Sequence, residues 1–343
     1  MICPHCDENL RQRERTGRTC SRCGREFVLD PRTNPLRLSD VRIQRVAAKL
    51  TEAGRTRITV AQLWYALSRK QRGEKGNKAG AIGCLALGLP VGLTLTVTGL
   101  AADGVGILAL FGFLILFFLL VSVPSMLRGG ERAVEAYPLS RFRGSAMNEW
   151  IRVHGSLPSG VIDERTIAHP AQPASPTGVL LCGDASIAAF LVANEIPRRF
   201  GTAVVTRAHQ VAAGPQPVIV LHDADAAGCQ LAARTRVALP GRRVVDAGLP
   251  PRAVMNAPAG VAVKGGSPAA EAVQRLRAAG TLTEAEVGWL EKGMTGPLGA
   301  VPPGKLLTVV TRVIERVTGA RDADVAEAEA VGFLTWPTGE ATP

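Results

Sequence analysis

The sequence predicts a multi-domain membrane protein: a small metal-binding module, an α-helical transmembrane hairpin and a C-terminal α/β domain with a mostly parallel sheet. Three observations carry this prediction. Two C-x2-C pairs stand within the first 23 residues. Two stretches of 24 residues, 79–102 and 104–127, contain no charged side chain. Beyond residue 177, continuous apolar runs alternate with helical patterns, as parallel strands covered on both faces require.

Composition narrows the reading. Of 343 residues, 46% are hydrophobic and 20% charged, so packed cores can form and wholesale disorder is excluded. Seven cysteines, an odd and sparse set, argue against a disulfide framework. The net charge is +11, and it is concentrated: residues 1–78 hold 18 Lys/Arg against 8 Asp/Glu, the rest 22 against 21. A positive N-terminal quarter suits the anionic inner leaflet of a bilayer or nucleic acid phosphate. Only eleven aromatic residues lie outside the two uncharged stretches, too few for a base-stacking platform.

The first module spans 1–37. Cys3 and Cys6 are followed, after thirteen intervening residues, by Cys20 and Cys23. Four thiolates at this spacing can close a tetrahedron around zinc, and Gly24 permits the tight turn after the second pair. The motif resembles a zinc ribbon, which implies a structural metal with no open coordination position. Residues 25–29 would be the strand after the second knuckle, and His5 a bystander. An iron site of the rubredoxin kind is disfavoured because 1–35 contain one aromatic, Phe27. With so little core, the module should draw its folding energy, on the order of 10 kcal/mol, from the metal.

Residues 38–78 read as a basic helical juxtamembrane segment. Ser39 or Asp40 caps a first helix with Val41, Val46, Ala47 and Leu50 on one face; Gly54 ends it. Thr59 caps a second, with Leu63, Trp64 and Leu67 in one stripe.

The hairpin follows over 79–127. Each uncharged run gives ~36 Å of helix against a hydrocarbon core of ~30 Å. Arg69, Lys70, Arg72, Lys75 and Lys78 precede it, Arg128 and Arg132 follow it, and the turn carries only Asp103. The positive-inside rule then places both ends in the cytoplasm and the chain in the plasma membrane as a multi-pass protein, without a cleaved signal.

Residues 128–176 read as a linker with a short helix over 146–153, and 177–319 as the α/β domain. Strands are expected at 179–182, 203–206, 217–222 and 243–246, and helices through 194 and 239, then over 268–279, 283–292 and 305–317. Residues 320–343 form an acidic tail, whose Phe333 and Trp336 would dock back.

Acidic residues end the expected strands, at the edge where open parallel sheets bind ligands. Asp184 and Asp246 read as helix caps. Asp223 and Asp225 are the candidate Mg2+ ligands. Residues 218–228, VIVLHDADAAG, resemble the metal-binding motif of Toprim domains, the catalytic fold of topoisomerases and primases. That resemblance implies a strand ending in D-x-D-x-x-G whose acids hold Mg2+. In the family an upstream strand ends in Glu-Gly and the Glu acts in phosphoryl transfer; here Cys182 takes its place, and Ser186 stands where an Asp is usual. The implied domain is degenerate. Cys182 and Cys229 read as buried apolar thiols.

The sequence therefore leads to a membrane-anchored, non-enzymatic scaffold or sensor with zinc as cofactor and a protein partner. The alternatives are a Mg2+-dependent phosphoryl-transfer enzyme on nucleic acid or nucleotide, and a membrane-tethered nucleic-acid-binding regulator.

Overall fold

The computed structural model describes residues 1–73, 136–167, 173–257, 261–320 and 322–323. The expected hairpin over 79–127, with Asp103, Arg128 and Arg132, lies outside the described residues, as do Phe333 and Trp336 of the tail. Among the described residues, no helix is long and apolar enough to cross a membrane.

Helix α1 (Asp40–Leu50) starts where the Ser39 hydroxyl accepts the Arg42 amide. Strand β1 (Ile58–Thr59) leads into α2 (Val60–Gly73), capped by the Thr59 hydroxyl on the Gln62 amide at 3.2 Å. Both caps are among those the sequence offers. Leu63, Trp64 and Leu67 are buried as their spacing requires, while α1 buries Ile43 and Ala47 and leaves Val41 half-exposed.

Residues 136–162, expected within a linker, pack into the same core. A helical turn at Leu139–Arg141 widens into a π-helix over Phe142–Met147 and continues as α3 (Asn148–His154). Tyr137, Phe142, Ala146, Met147 and Trp150 join Leu36, Ile43, Leu63 and Leu67 in one buried cluster. The Trp64 indole donates to the Tyr137 carbonyl at 3.1 Å. Strand β2 (Val161–Ile162) pairs parallel with β1. Sequence reading separates the two flanks of the apolar segment because their contacts are non-local; their apolar faces are completed only by each other.

The α/β part is built on a parallel sheet of β3 (Gly178–Cys182), β4 (Thr202–Val205), β5 (Val218–Leu221) and β6 (Val244–Asp246), in the order β4-β3-β5-β6. Every residue of β3 and β5 is buried, as continuous apolar runs require. Leu180, Cys182, Val204, Ile219 and Leu221 face α4 (Ala185–Ala193), α5 (Ile196–Phe200) and the long α10 (Pro303–Thr318). Val179, Leu181, Val218 and Val220 face Ala232 on α6 (Leu231–Ala238). Beyond β6 come the short α7 (Pro251–Met255), strand β7 (Val263–Lys264), α8 (Ala270–Ala279) and α9 (Glu284–Glu291). Strand β8 (Met294–Thr295) runs antiparallel to β7.

The two parts meet through β1 and α4. Asn194 both accepts from the Arg57 amide and donates to the Arg57 carbonyl, each at 2.9 Å. Ser186 donates to Thr59 Oγ1 at 2.8 Å within the buried joint.

One buried carboxylate ties the N-terminal part together. Asp40 accepts the Val28 and Leu29 amides at 2.9 and 2.8 Å and faces His154 Nε2 at 2.9 Å. Asp40→Ala should strand two buried amides and the imidazole, a cost on the order of 3 kcal/mol. Urea unfolding of the zinc-loaded chain should show a lower midpoint, with Asp40→Asn in between; an unchanged midpoint for Asp40→Ala would refute the role.

Candidate metal centre

The Sγ atoms of Cys3, Cys6, Cys20 and Cys23 lie within 4.8 Å of one another. The pairs Cys3–Cys23 and Cys6–Cys20 stand 3.8 and 3.9 Å apart. A tetrahedron with ~2.3 Å metal–sulfur bonds has edges of ~3.8 Å, so the four thiols fit a metal such as zinc. The cluster fits a zinc ribbon.

Its backbone is a duplication at an offset of seventeen residues. Cys3 N bonds Glu8 O at 2.9 Å as Cys20 N bonds Arg25 O at 3.0 Å. Asp7 N bonds Cys3 O as Gly24 N bonds Cys20 O. Asp7 and Gly24, each following the second cysteine of its pair, take the left-handed φ values of 58° and 70°. Antiparallel bridges Ile2–Asn9 and Thr19–Glu26 close the two knuckles. The repeat is visible in the sequence, where Leu10 and Phe27, both buried, occupy matching places.

The expected strand over 25–29 is not formed. Glu26 makes the single bridge, and the next free amides, Val28 and Leu29, go to the Asp40 carboxylate instead. His5 is outside the thiol cluster: its Nε2 donates to Glu26 O at 2.7 Å and its ring stacks on His154.

The thiols' electrostatics favour a cation. The amides of Cys23 and Arg22 draw the Cys20 thiol down to about 7, burial opposing them. The Glu8 amide works the same way on Cys6, yet burial and the three neighbouring cysteines push that thiol up to about 12. A thiol held as high as Cys6 ionises at neutral pH only when a cation compensates it.

The sheet edge is different. Asp184 caps α4 as expected, accepting the Ser186 amide at 2.7 Å. Asp223 accepts the Leu298 amide at 2.8 Å, and Asp225 the Gly228 amide at 2.5 Å. A Cβ on Gly228 would collide with the Asp223 carbonyl oxygen, so only glycine fits this turn. Asp246, also expected to cap a helix, instead accepts from the Gly248 amide and from His222 Nε2, each at 3.0 Å. His222 Nδ1 faces the Asp223 carbonyl at 2.7 Å. Both imidazole nitrogens thus face acceptors. Burial opposes the charge, but Asp246 and that carbonyl outweigh it and raise the His222 pKa. Cys182 is fully buried, and burial keeps its thiol protonated. Among the described residues, the four cysteines are the one group of three or more potential ligands brought together.

Comparison with protein-family models, with curated proteins and with solved structures finds no match to any part of this chain. What the fold and the site define is a class: a four-cysteine metal module joined to an α/β domain with a mostly parallel sheet.

The full chain should carry one zinc, measured by elemental analysis, and Cys20→Ser should reduce it to background. Full zinc retention in that variant, or iron in the native chain, would overturn the assignment.

Burial, first, and the charges of Asp184 and Asp225 push Asp223 up to about 6 from 3.8, against the Leu298 amide. A carboxyl with a raised folded pKa carries no penalty below about pH 4, where both states are protonated. Stability is lost as pH rises toward about 6 and stays lower above it. Asn keeps an acceptor for Leu298, so Asp223→Asn should stabilise the chain by on the order of 1–3 kcal/mol at neutral pH and not at pH ~4. Thermal unfolding at both pH values checks this. Added Mg2+ that stabilises the native chain but not the variant would identify Asp223 as a ligand.

Proposed function

We propose that this protein is a membrane-anchored scaffold or sensor without catalysis of its own, holding a zinc ribbon and an α/β domain together at the cytoplasmic face. One observation carries the reading: the chain on either side of 74–135 belongs to one core. Trp64 bonds the Tyr137 carbonyl, and β1 pairs with β2. A segment that leaves and rejoins the same body enters and leaves a bilayer on the same side, so it crosses an even number of times. Two uncharged runs, each ~36 Å as helix, supply two crossings. The basic flanks then orient the body toward the cytoplasm.

Two features support a non-catalytic role. A metal held by four cysteines has no position free for substrate or water. At the sheet edge Asp184, Asp223 and Asp225 each hold a backbone amide, and a protonated thiol stands in place of the Toprim glutamate.

Topology tests the reading. The full chain should stay with membranes through an alkaline carbonate wash. An epitope inserted at Asp103 should be open to protease in intact cells. One inserted at Gly214, in an exposed loop, should be protected. Extraction by carbonate, or equal accessibility of both tags, would overturn the proposal.

A further inference from the structure

The segment between the two knuckles takes no part in holding the metal. Residues Gln12–Arg18 form an irregular 3-10 stretch, broken at Arg15, Thr16 and Gly17. With Asp30 and Thr33 it walls an open recess of about 910 Å3. Four arginines line this recess: Arg11, Arg13, Arg15 and Arg18.

The chain neutralises them only in part: Glu14 acts on Arg11 and Arg13 through space, and two of the four have an acidic partner. Arg11 and Arg13 are exposed and make no ion pair among the described residues. Arg18 gives Nη1 to the Val28 carbonyl at 3.0 Å and stands 3.5 Å from Glu149. Arg15, its side chain only 10% exposed, pairs with Asp30 at 3.1 Å and leaves its Nε buried without a hydrogen-bond partner. A buried unsatisfied donor is costly, and four guanidiniums around one recess repel one another. An anion among the exposed guanidiniums relieves that repulsion.

We propose that this recess binds a phosphate ester of a polyol, with Arg11, Arg13 and Arg15 holding the phosphate. Guanidinium forks match phosphate oxygens in geometry and charge. The rest of the lining selects the body of the ligand. Asp30, 3.1 Å from Arg15, offers a carboxylate that accepts hydrogen bonds from hydroxyls. Gln12, Thr16 and Thr33 add hydroxyl and amide partners. No aromatic side chain lines the recess, so a nucleobase has nothing to stack on. The ligand is either a soluble polyol phosphate or the headgroup of a phosphoglycerol or phosphoinositol lipid. The site stands independently of the proposed membrane topology, because soluble ligand alone tests it.

The test uses the full zinc-loaded chain in detergent micelles and calorimetric titration with glycerol 3-phosphate and inositol 1-phosphate. Inorganic phosphate and a single-stranded oligonucleotide are titrated alongside. A polyol phosphate should bind more tightly than either comparator. Arg11→Gln with Arg13→Gln should weaken it at least about tenfold through two lost charge-assisted bonds, with zinc content unchanged. Arg13→Gln alone, the milder change, should give an intermediate loss. Competition by phosphatidylinositol or phosphatidylglycerol vesicles, absent with phosphatidylcholine, identifies the lipid source; no competition identifies a soluble one, and both support the site. Tighter oligonucleotide binding, or polyol phosphate affinity indifferent to both variants, would overturn the proposal.

Discussion

The N-terminal half depends on one buried carboxylate. Asp40 is fully buried at the start of α1, and it joins three stretches: the end of the metal module at Val28 and Leu29, its own helix, and His154 at the end of α3. Burying a carboxylate costs several kcal/mol, and only well-placed donors offset that. Three converge here. The metal module cannot orient itself, because its own apolar cluster is Cys3, Leu10 and Cys20 alone. Its direction is set from outside, by Asp40, by His5 stacked on His154, and by the exposed Glu26–Arg152 pair. The last contributes little, being open to solvent.

This pin has a topological consequence. His154 lies 114 residues beyond Asp40. The metal module therefore rests on a helix that the chain reaches only after residues 74–135. Whatever displaces the ends of that segment acts on α2 at one side and on the π-helix and α3 at the other. Trp64 couples the two through Tyr137. The metal module, the helices and the sheet are thus connected by direct contacts, with Ser186 and Asn194 carrying the connection into the α/β domain.

What the sequence makes legible is local. The C-x2-C pairs announce themselves because a knuckle is closed by hydrogen bonds between near neighbours in the chain. The strands of the parallel sheet are legible because burial on both faces leaves an unbroken apolar run. The failures are non-local. Residues 25–29 carry a strand-like pattern, yet no neighbouring strand is at hand for Val28 and Leu29, and a carboxylate eleven or twelve residues on takes their amides. Asp246 reads as a helix cap until His222, 24 residues earlier, is brought against it. The helix at 148–154 reads as a linker feature because its apolar face meets residues far earlier in the chain, Ile43 and Leu63 among them.

The cysteine cluster and the acidic sheet edge differ in how their charge is met. At the sheet edge the negative charge is met from within. Each aspartate accepts a backbone amide, burial raises the pKa of Asp223, and the His222 ring faces both Asp246 and the Asp223 carbonyl. In the ribbon nothing comparable exists. A few amides reach the sulfurs, Arg22 N on Cys20 at 3.4 Å among them, and the four thiols stand within 4.8 Å of one another. Without a cation the neighbouring cysteines push the Cys6 thiol up, and the module has only the small Cys3, Leu10 and Cys20 cluster to hold them together. A divalent ion resolves both problems at once: it compensates the thiolates and supplies the cross-link the two knuckles lack. The chain's demand for metal thus falls on its N-terminal cysteines.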